Sequence, residues 1–557
     1  MKGTPMRLVT FAMFLLTPLA YAQTSENVQS FYPGGTPLSA ECNGKLPSQS
    51  GSSATADLAA FNAAAAAAHA VYISTLVPVK IFFGGNCILT GQVNMSGGEQ
   101  FDGSGGGVIT VPSQQAKYPA TNYTFVATDA DQVAWDNMII NVASTIAGDY
   151  AGNTVILWAS STGGAHYHVY ARNNVINNSG WGMLIEYNSG SASGLTDVVI
   201  SGNRITNDLL PPLNSQPPYT LNPQPPYTNG DGIHLEGNVS NITISDNHII
   251  NRGDACIGLT PLDGYAPNNF LVANNTCFQD RVGIDISGAN NGTVVGNYVS
   301  ATEPGASGSS PAYRIIADPA SGVLPFLIHT KDNYFQAAPA SGGDSNVKLD
   351  ISGGASACSP TPGCYFDFSG NVYATVTGVP SLYINDISGN AVSISDETFE
   401  PGGILTVYDS QSVDIGTNHW LGNGTLNVNG TFSDIQVSPQ DALGTLTHSN
   451  SNNEVIPNEL RQTVSVPGCT FTAFANGNVC YQTVTLPQQH TDSNFVVSCE
   501  FPTPLTGQGG EAPVISYQAN PLNKSQFNLY EQSIIATSTW ESYPNYEINA
   551  VCTSYHP

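Results

Sequence analysis

The sequence predicts an all-β protein: a right-handed parallel β-helix with an N-terminal capping helix, followed by a small C-terminal β-sandwich domain. Two interleaved phrases and the composition carry that expectation. Between residues 229 and 287 a Gly-Asp or Asp-Arg turn is followed three times by alternating apolar residues. Ile233, Ile257 and Ile284 then fall in one register, and Leu235, Leu259 and Ile286 in another. A second phrase runs between these: Ile244-Ser245-Asp246-Asn247 matches Val199-Ile200-Ser201-Gly202-Asn203 and Val294-Val295-Gly296-Asn297. Units of roughly 20–30 residues cannot bury an apolar face alone and must stack. Alternation of period two makes each unit a set of strands, one face in and one out. Hydrophobic residues make up 41% of the chain, enough for a continuous core, while only 10% are charged, which suits an exported β-protein better than a helical cytosolic one.

Taken in order, the chain opens on a targeting segment. Lys2 and Arg7 precede an apolar run over 8–19, and Ala20-Tyr21-Ala22 fits a small-x-small cleavage site. Residues 1–22 are therefore a signal peptide, and the protein is secreted and extracellular, or periplasmic in a bacterium. No later run is expected to span a bilayer. Thr55 N-caps an alanine-rich helix reaching Ala70, which would plug the open apolar end of the coil. Windings follow through 133–142, 168–176 and 198–205. The Pro-rich stretch 209–228 cannot pair in a central strand and must loop out beside the winding that carries Asp231. Windings continue through 366–372, 382–394, 404–415 and 426–437. The polar stretch 449–457 reads as a linker, so the β-helix domain occupies 23–455 and a disulfide-containing accessory sandwich occupies 456–557. In that last part Trp540, Tyr543 and Tyr546 offer a sugar-stacking face.

The charge balance narrows the partners. Lys and Arg total 14 against 41 Asp and Glu, a net −27. No basic surface is available for nucleic acid or anionic membrane. A strongly polyanionic substrate is disfavoured too, unless local cations or a metal offset the field. Ten cysteines in an exported chain suggest disulfides, and proximity in sequence suggests Cys42–Cys87, Cys256–Cys277, Cys358–Cys364, Cys469–Cys480 and Cys499–Cys552. The column Asn203, Asn247, Asn275, Asn297 is structural, since Asn tolerates left-handed backbone angles and stacked amides bond along a solenoid. His166, His168 and His248 lack metal-ligand spacing with an acidic or Cys neighbour in sequence and are also read as structural.

Two resemblances bear on function. The order helix, apolar strand 79–83, Gly turn, strand, Asp102-Gly103-Ser104-Gly105 resembles the opening of the pectate-lyase superfamily. Asn229-Gly230-Asp231-Gly232-Ile233 and Gly253-Asp254-Ala255-Cys256 resemble the first two motifs of glycoside hydrolase family 28, the polygalacturonases and rhamnogalacturonases. Arg281-Val282-Gly283 and Arg314-Ile315-Ile316 stand where that family has G-H-G and R-I-K. The resemblance implies Asp254 as general acid and Asp231 as a carboxylate that positions water. The family's third carboxylate falls at Ala255. Inverting hydrolysis needs two carboxyl groups roughly 6.5–9.5 Å apart. Windings lie about 4.8 Å apart, and Asp231 aligns with Ala255, so Asp254 sits one winding on and one residue back. His234, Gly258 and Asp285 are expected in one outward column. Glu236 lies two positions beyond His234, with Glu186 beside it on the preceding winding, where like charges would raise a carboxyl pKa. Arg281 and Arg314 are candidate sugar or carboxylate binders.

The reading from sequence is a polysaccharide-degrading glycoside hydrolase, polygalacturonase-like, acting on pectin-type or related glycans as a monomer. The catalytic residues would be Asp231 and Asp254, and the substrate-binding residues Arg314, Arg281, His234, Glu236 and Asp285. No metal and no cofactor are expected. A lyase on the same scaffold, using Ca²⁺, is the second reading. A non-catalytic glycan-binding, adhesin-like protein is the third.

Overall fold

The computed structural model describes residues 42–43, 54–112, 122–143, 153–160, 162–188, 193–206, 230–252, 254–300, 311–318, 323–337, 345–352, 365–387, 392–410, 413–430, 435–438, 440–448, 455–457, 462–471, 479–486, 496–500, 514–523, 526–534 and 546–555. The leader, the Pro-rich stretch 209–228, Cys358, Cys364, Trp540 and Tyr543 fall outside them.

The chain winds as a parallel β-helix. Each winding contributes three strands, as in Val239–Ser245, His248–Ile250 and Ala255–Thr260, and each strand pairs in parallel with its counterpart one winding away. The first strands form a 14-stranded sheet from Val79–Phe82 to Val455–Pro457. The expected registers hold: Ile233 faces Ile257 and Ile257 faces Ile284, while Leu235, Leu259 and Ile286 align beside them. Ile200, Ile244, Val272 and Val294 stack on the first sheet. These residues are buried and belong to one continuous core. Gly232 shows why the recurring turn needs glycine. A Cβ there would stand 2.6 Å from the Cys256 carbonyl oxygen of the next winding.

The helix spans Ala54–Thr75, longer at both ends than expected, so Thr55 lies within it rather than capping it. By length and composition, 57–75 is apolar enough to cross a membrane, contrary to the sequence reading. Here its Phe61, Ala64, Ala65 and Ala68 are buried on the coil end instead. Phe61 meets Phe83 edge-on at 5.1 Å and stacks on Phe101 at 5.6 Å. The buried Asp57 carboxylate accepts the Ile88 N–H at 2.9 Å, pinning the plug to a strand end.

An amide ladder runs along the turn between first and second strands. Each amide donates to the next side-chain oxygen at 2.9–3.0 Å, from Asn174 through Asn203, Asn247, Asn275, Asn297, Asn333 and Asn371 to Glu397. The expected double role of these asparagines is divided between neighbours. The left-handed angle belongs to the residue before each ladder member: Gly202, Asp246, Asn274 and Gly296.

Cys256 and Cys277 are joined, with Cα atoms 5.8 Å apart. Cys87 and Cys552 each belong to a disulfide of their own, and Cys499 lies directly opposite Cys552 across an antiparallel pair. The last parallel pairing, Val455–Pro457 on Ile435–Val437, lies inside the stretch expected as a linker. Beyond it, two three-stranded antiparallel sheets make up the C-terminal β-sandwich.

Candidate functional site

The site lies on the sheet of third strands, across Trp181–Tyr187, Ile233–Gly237, Ala255–Thr260, Val282–Ser287 and Tyr313–Ile316. Strand register builds one outward column of His234, Gly258, Asp285, Arg314 and Lys348. A parallel column holds Glu186, Glu236 and Thr260. The pairing of Glu186 with Glu236, and the column through His234, Gly258 and Asp285, are as the repeats predict.

Asp231 is buried and closely held. Its Oδ1 accepts the Ala255 N–H at 2.8 Å, and its Oδ2 pairs with His234 Nδ1. The first of these bonds requires the register predicted from sequence, with Asp231 level with Ala255 and Asp254 one residue earlier. His234 Nε2 lies 2.9 Å from the Thr260 hydroxyl and 3.8 Å from Glu236 Oε2, and its ring packs edge-on against Trp181 at 5.5 Å. Burial alone would lower the His234 pKa, but the charge and hydrogen bond of Asp231, with Glu236 and Asp285 behind it, raise it to about 9. The chain Asp231–His234–Thr260 has the connectivity of a nucleophilic triad, yet a ring whose pKa is raised favours its protonated form, and in that form it would donate to Thr260 rather than take its proton.

Asp254 differs from the other aspartates. It is half-buried, and burial first, then the charge of Asp231, raises its pKa to about 6; Arg281 and Arg314 pull it down and Asp285 pushes it up. Asp285 is nearly closed off, accepting from the Ser287 hydroxyl at 2.9 Å and from Arg314 Nη2 at 2.5 Å. The Asp285 charge holds Arg314 well above its ordinary pKa. Burial also raises Glu236, with His234 opposing and Glu186 adding to the shift.

Gly258 leaves a gap in the outward column. A Cβ at this position would stand 2.9 Å from His234 Nδ1 and 3.1 Å from Asp231 Oδ2. A side chain at this position would therefore press on the ion pair. Among the described residues, one set of His, Cys, Asp and Glu ligand atoms converges closely enough to hold a metal: Cys256, Cys277 and Asp280. Its two sulfurs are joined in the disulfide. Asp231, Asp254 and Asp285 do not form such a set.

Sequence reasoning brought Asp231, Asp254, His234, Glu236, Asp285, Arg281 and Arg314 to one electrostatic neighbourhood. It missed Trp181, Thr260 and Arg252. Thr260 was findable by extending the Glu186–Glu236 register one winding, and Trp181 by aligning it with Asp231. Nothing in the sequence marks Arg252. Two histidines read as structural do have acidic neighbours, though not in a metal-holding set. His166 Nδ1 lies 3.2 Å from Asp131 and its Nε2 3.6 Å from Asp129, and His168 lies 3.4 Å from Asp197, carboxylates supplied by neighbouring windings.

No protein-family model matches the chain, and no curated protein matches it. Solved structures similar to it include the tailspike gp61 of Pseudomonas phage phi297, 10% identical, TM-score 0.46, covering 89% of this chain and 91% of that one. The tailspike of E. coli bacteriophage HK620, in complex with a hexasaccharide, is 9% identical with TM-score 0.43, covering 89% of each chain. The tailspike gp49 of Pseudomonas phage LKA1 is 13% identical with TM-score 0.30, and the match spans 86% of this chain but 66% of that one, just under two thirds.

Proposed function

We propose that this protein binds a polysaccharide on the third sheet and cleaves its glycosidic bonds, in the manner of a polygalacturonase-like hydrolase. The observation that carries the reading is the contrast at Asp254. It is a half-buried carboxyl with a pKa near 6, beside acids whose oxygens are already engaged. A donor of that kind is what protonation of a leaving glycosidic oxygen requires in a mildly acidic medium. Asp231 serves as the second carboxylate. Its two oxygens each use one hydrogen-bonding site of the roughly four that a carboxylate offers, so it can still hold a water. Its charge also keeps the Asp254 proton in place. His234 fixes the Asp231 orientation, Arg314 fixes Asp285, and Gly258 leaves room for a sugar ring edge. The substrate class is pectin-type or a related glycan, handled outside the cell by a monomer.

The second reading is a glycan-binding protein without catalysis. Ala255 favours it, because this position carries no carboxylate and is buried. A panel of plant and microbial polysaccharides separates the possibilities, assayed for new reducing ends and for unsaturated-product absorbance, with and without EDTA. Hydrolysis gives reducing ends alone and ignores the chelator. A lyase gives absorbance that chelator abolishes. Retention of a glycan with neither product establishes the binder and defeats the hydrolase.

A further inference from the structure

Arg252 lies beneath the site and takes no part in the chemistry described so far. Among the described residues it is the only Lys or Arg that is fully buried. Its guanidinium spends its donors on backbone. Nε donates to the Gly230 carbonyl at 3.1 Å, Nη1 to the Ser179 carbonyl at 3.2 Å, and Nη2 to the Gly180 carbonyl and, at 3.1 Å, to the Asp231 carbonyl. Its own N–H donates to Asp280 Oδ1 at 2.7 Å. These carbonyls belong to the turns just before Trp181–Tyr187 and Ile233–Gly237, and Arg252 itself stands just before Ala255–Thr260. One side chain ties three successive windings at the level where Asp231 and Asp254 join the sheet.

Holding windings together does not by itself call for a charge. On the neighbouring turn the ladder does it with neutral amides. A buried guanidinium is strongly unfavourable unless its donors are filled, and here burial lowers its pKa to about 10 with Asp280 and Asp231 opposing. What a rigid planar fork adds is several carbonyls fixed at set angles from one centre. Two of those carbonyls, Gly230 and Asp231, flank the Asp231 side chain.

We propose that Arg252 is a positioning residue: it fixes the backbone on both sides of the Asp231 side chain, and the turn that leads to Asp254, and so sets how the two carboxylates and His234 meet. Its consequence for rate rests on the hydrolase reading; its test does not.

The test uses the full-length chain with Arg252→Lys and Arg252→Gln, and Asn297→Ala as a control that removes a remote ladder amide. His234 and Asp254 are titrated by NMR in each folded variant, with folding checked by circular dichroism. Both Arg252 variants are expected to lower the His234 midpoint by about one pH unit or more, as a loosened ion pair would, and to move that of Asp254. Asn297→Ala is expected to move neither. Should Arg252→Gln fail to fold, Arg252→Lys decides, because it keeps the charge and loses only the fork. Wild-type midpoints for both groups in folded Arg252→Lys would overturn the proposal. On a cleaved substrate, the Arg252 variants should lose about tenfold or more in kcat with KM within about twofold. Shifted midpoints in a protein that cleaves nothing would leave the positioning role standing and remove the hydrolase.

Discussion

At Asp254 burial and the charge of Asp231 raise the pKa of a half-buried carboxyl to about 6, and two substitutions test the site around it. Asp254→Asn should lower hydrolysis by about 10²–10⁴, the usual contribution of a general acid, with binding of the same glycan unchanged; a rate within about threefold of wild type would remove Asp254 from that role. The wild-type rate should fall as pH rises through about 6, as the donor loses its proton. Gly258→Ala acts on the other half of the site. Its methyl would press on His234 Nδ1 and Asp231 Oδ2, so the His234 titration should drop from about 9 toward its ordinary value near 6.5. NMR of the folded variant reads this directly, and an unmoved midpoint would mean the ring yields without breaking the pair. The two aspartates and His234 were legible in the sequence because strand alternation and a one-winding offset fix their placement. Arg252 was not, because its partners are backbone carbonyls of two other windings, 21 to 73 residues away in the chain. The carboxylates that reach His166 and His168 were hidden for the same reason.

The amide ladder is the element in which a single exception shows what the rest avoid. Glu397 stands where every earlier winding from Asn174 places an asparagine, and it is fully buried. Its Oε1 accepts from Asn371 at 3.0 Å, while Oε2 and the nearby Tyr373 hydroxyl are both buried without a hydrogen bond of full geometry. Burial raises the Glu397 pKa to about 8, with Tyr373 and Asn371 opposing and Asp367 adding to it. The folded value thus lies above the ordinary 4.5. Below that ordinary value the carboxyl is protonated in both states, and its contribution is complete. Between the two values the unfolded chain ionises and the folded chain does not, so stability falls as pH rises toward about 8. The loss should be on the order of a few kcal/mol, read as a falling thermal midpoint. Glu397→Gln keeps the acceptor and supplies a neutral donor, so its midpoint should vary much less over the same range. Asp254 and Glu236, and above about 6.5 His234, are also raised and leave a remaining slope of the same sign. If the Gln variant retained the full slope, Glu397 would not be its source. The ladder asparagines were visible as a column in the sequence, but a glutamate set into that column before Asn418 was not, since its role depends on burial that the local residues do not specify.

Across the whole molecule, the acidic balance and the pairing at the site lead to one expectation about substrates. The chain carries net −27. The site does hold cations, but they sit beside carboxylates: Arg314 at 2.5 Å from Asp285, Lys348 at 3.0 Å from Asp350, and His234 on Asp231. Arg281 acts on Asp254. A free polyuronate approaching this sheet would meet the field of the whole coil, with these cations already matched. Fields between exposed charges are cut off beyond about 10 Å at 0.1 M salt. Cleavage or retention of a free polyuronate should therefore be weak at low ionic strength and rise as sodium chloride is added. An esterified or neutral glycan of the same backbone should be handled better and change little with salt. Initial rates, or retardation in an affinity gel, measured on the two polymers across a salt series would decide this. Polyuronate handling that is strongest at low salt and weakens on adding it would mean that the cations of the third sheet meet the substrate unpaired, with Arg314 released from Asp285 when the glycan binds.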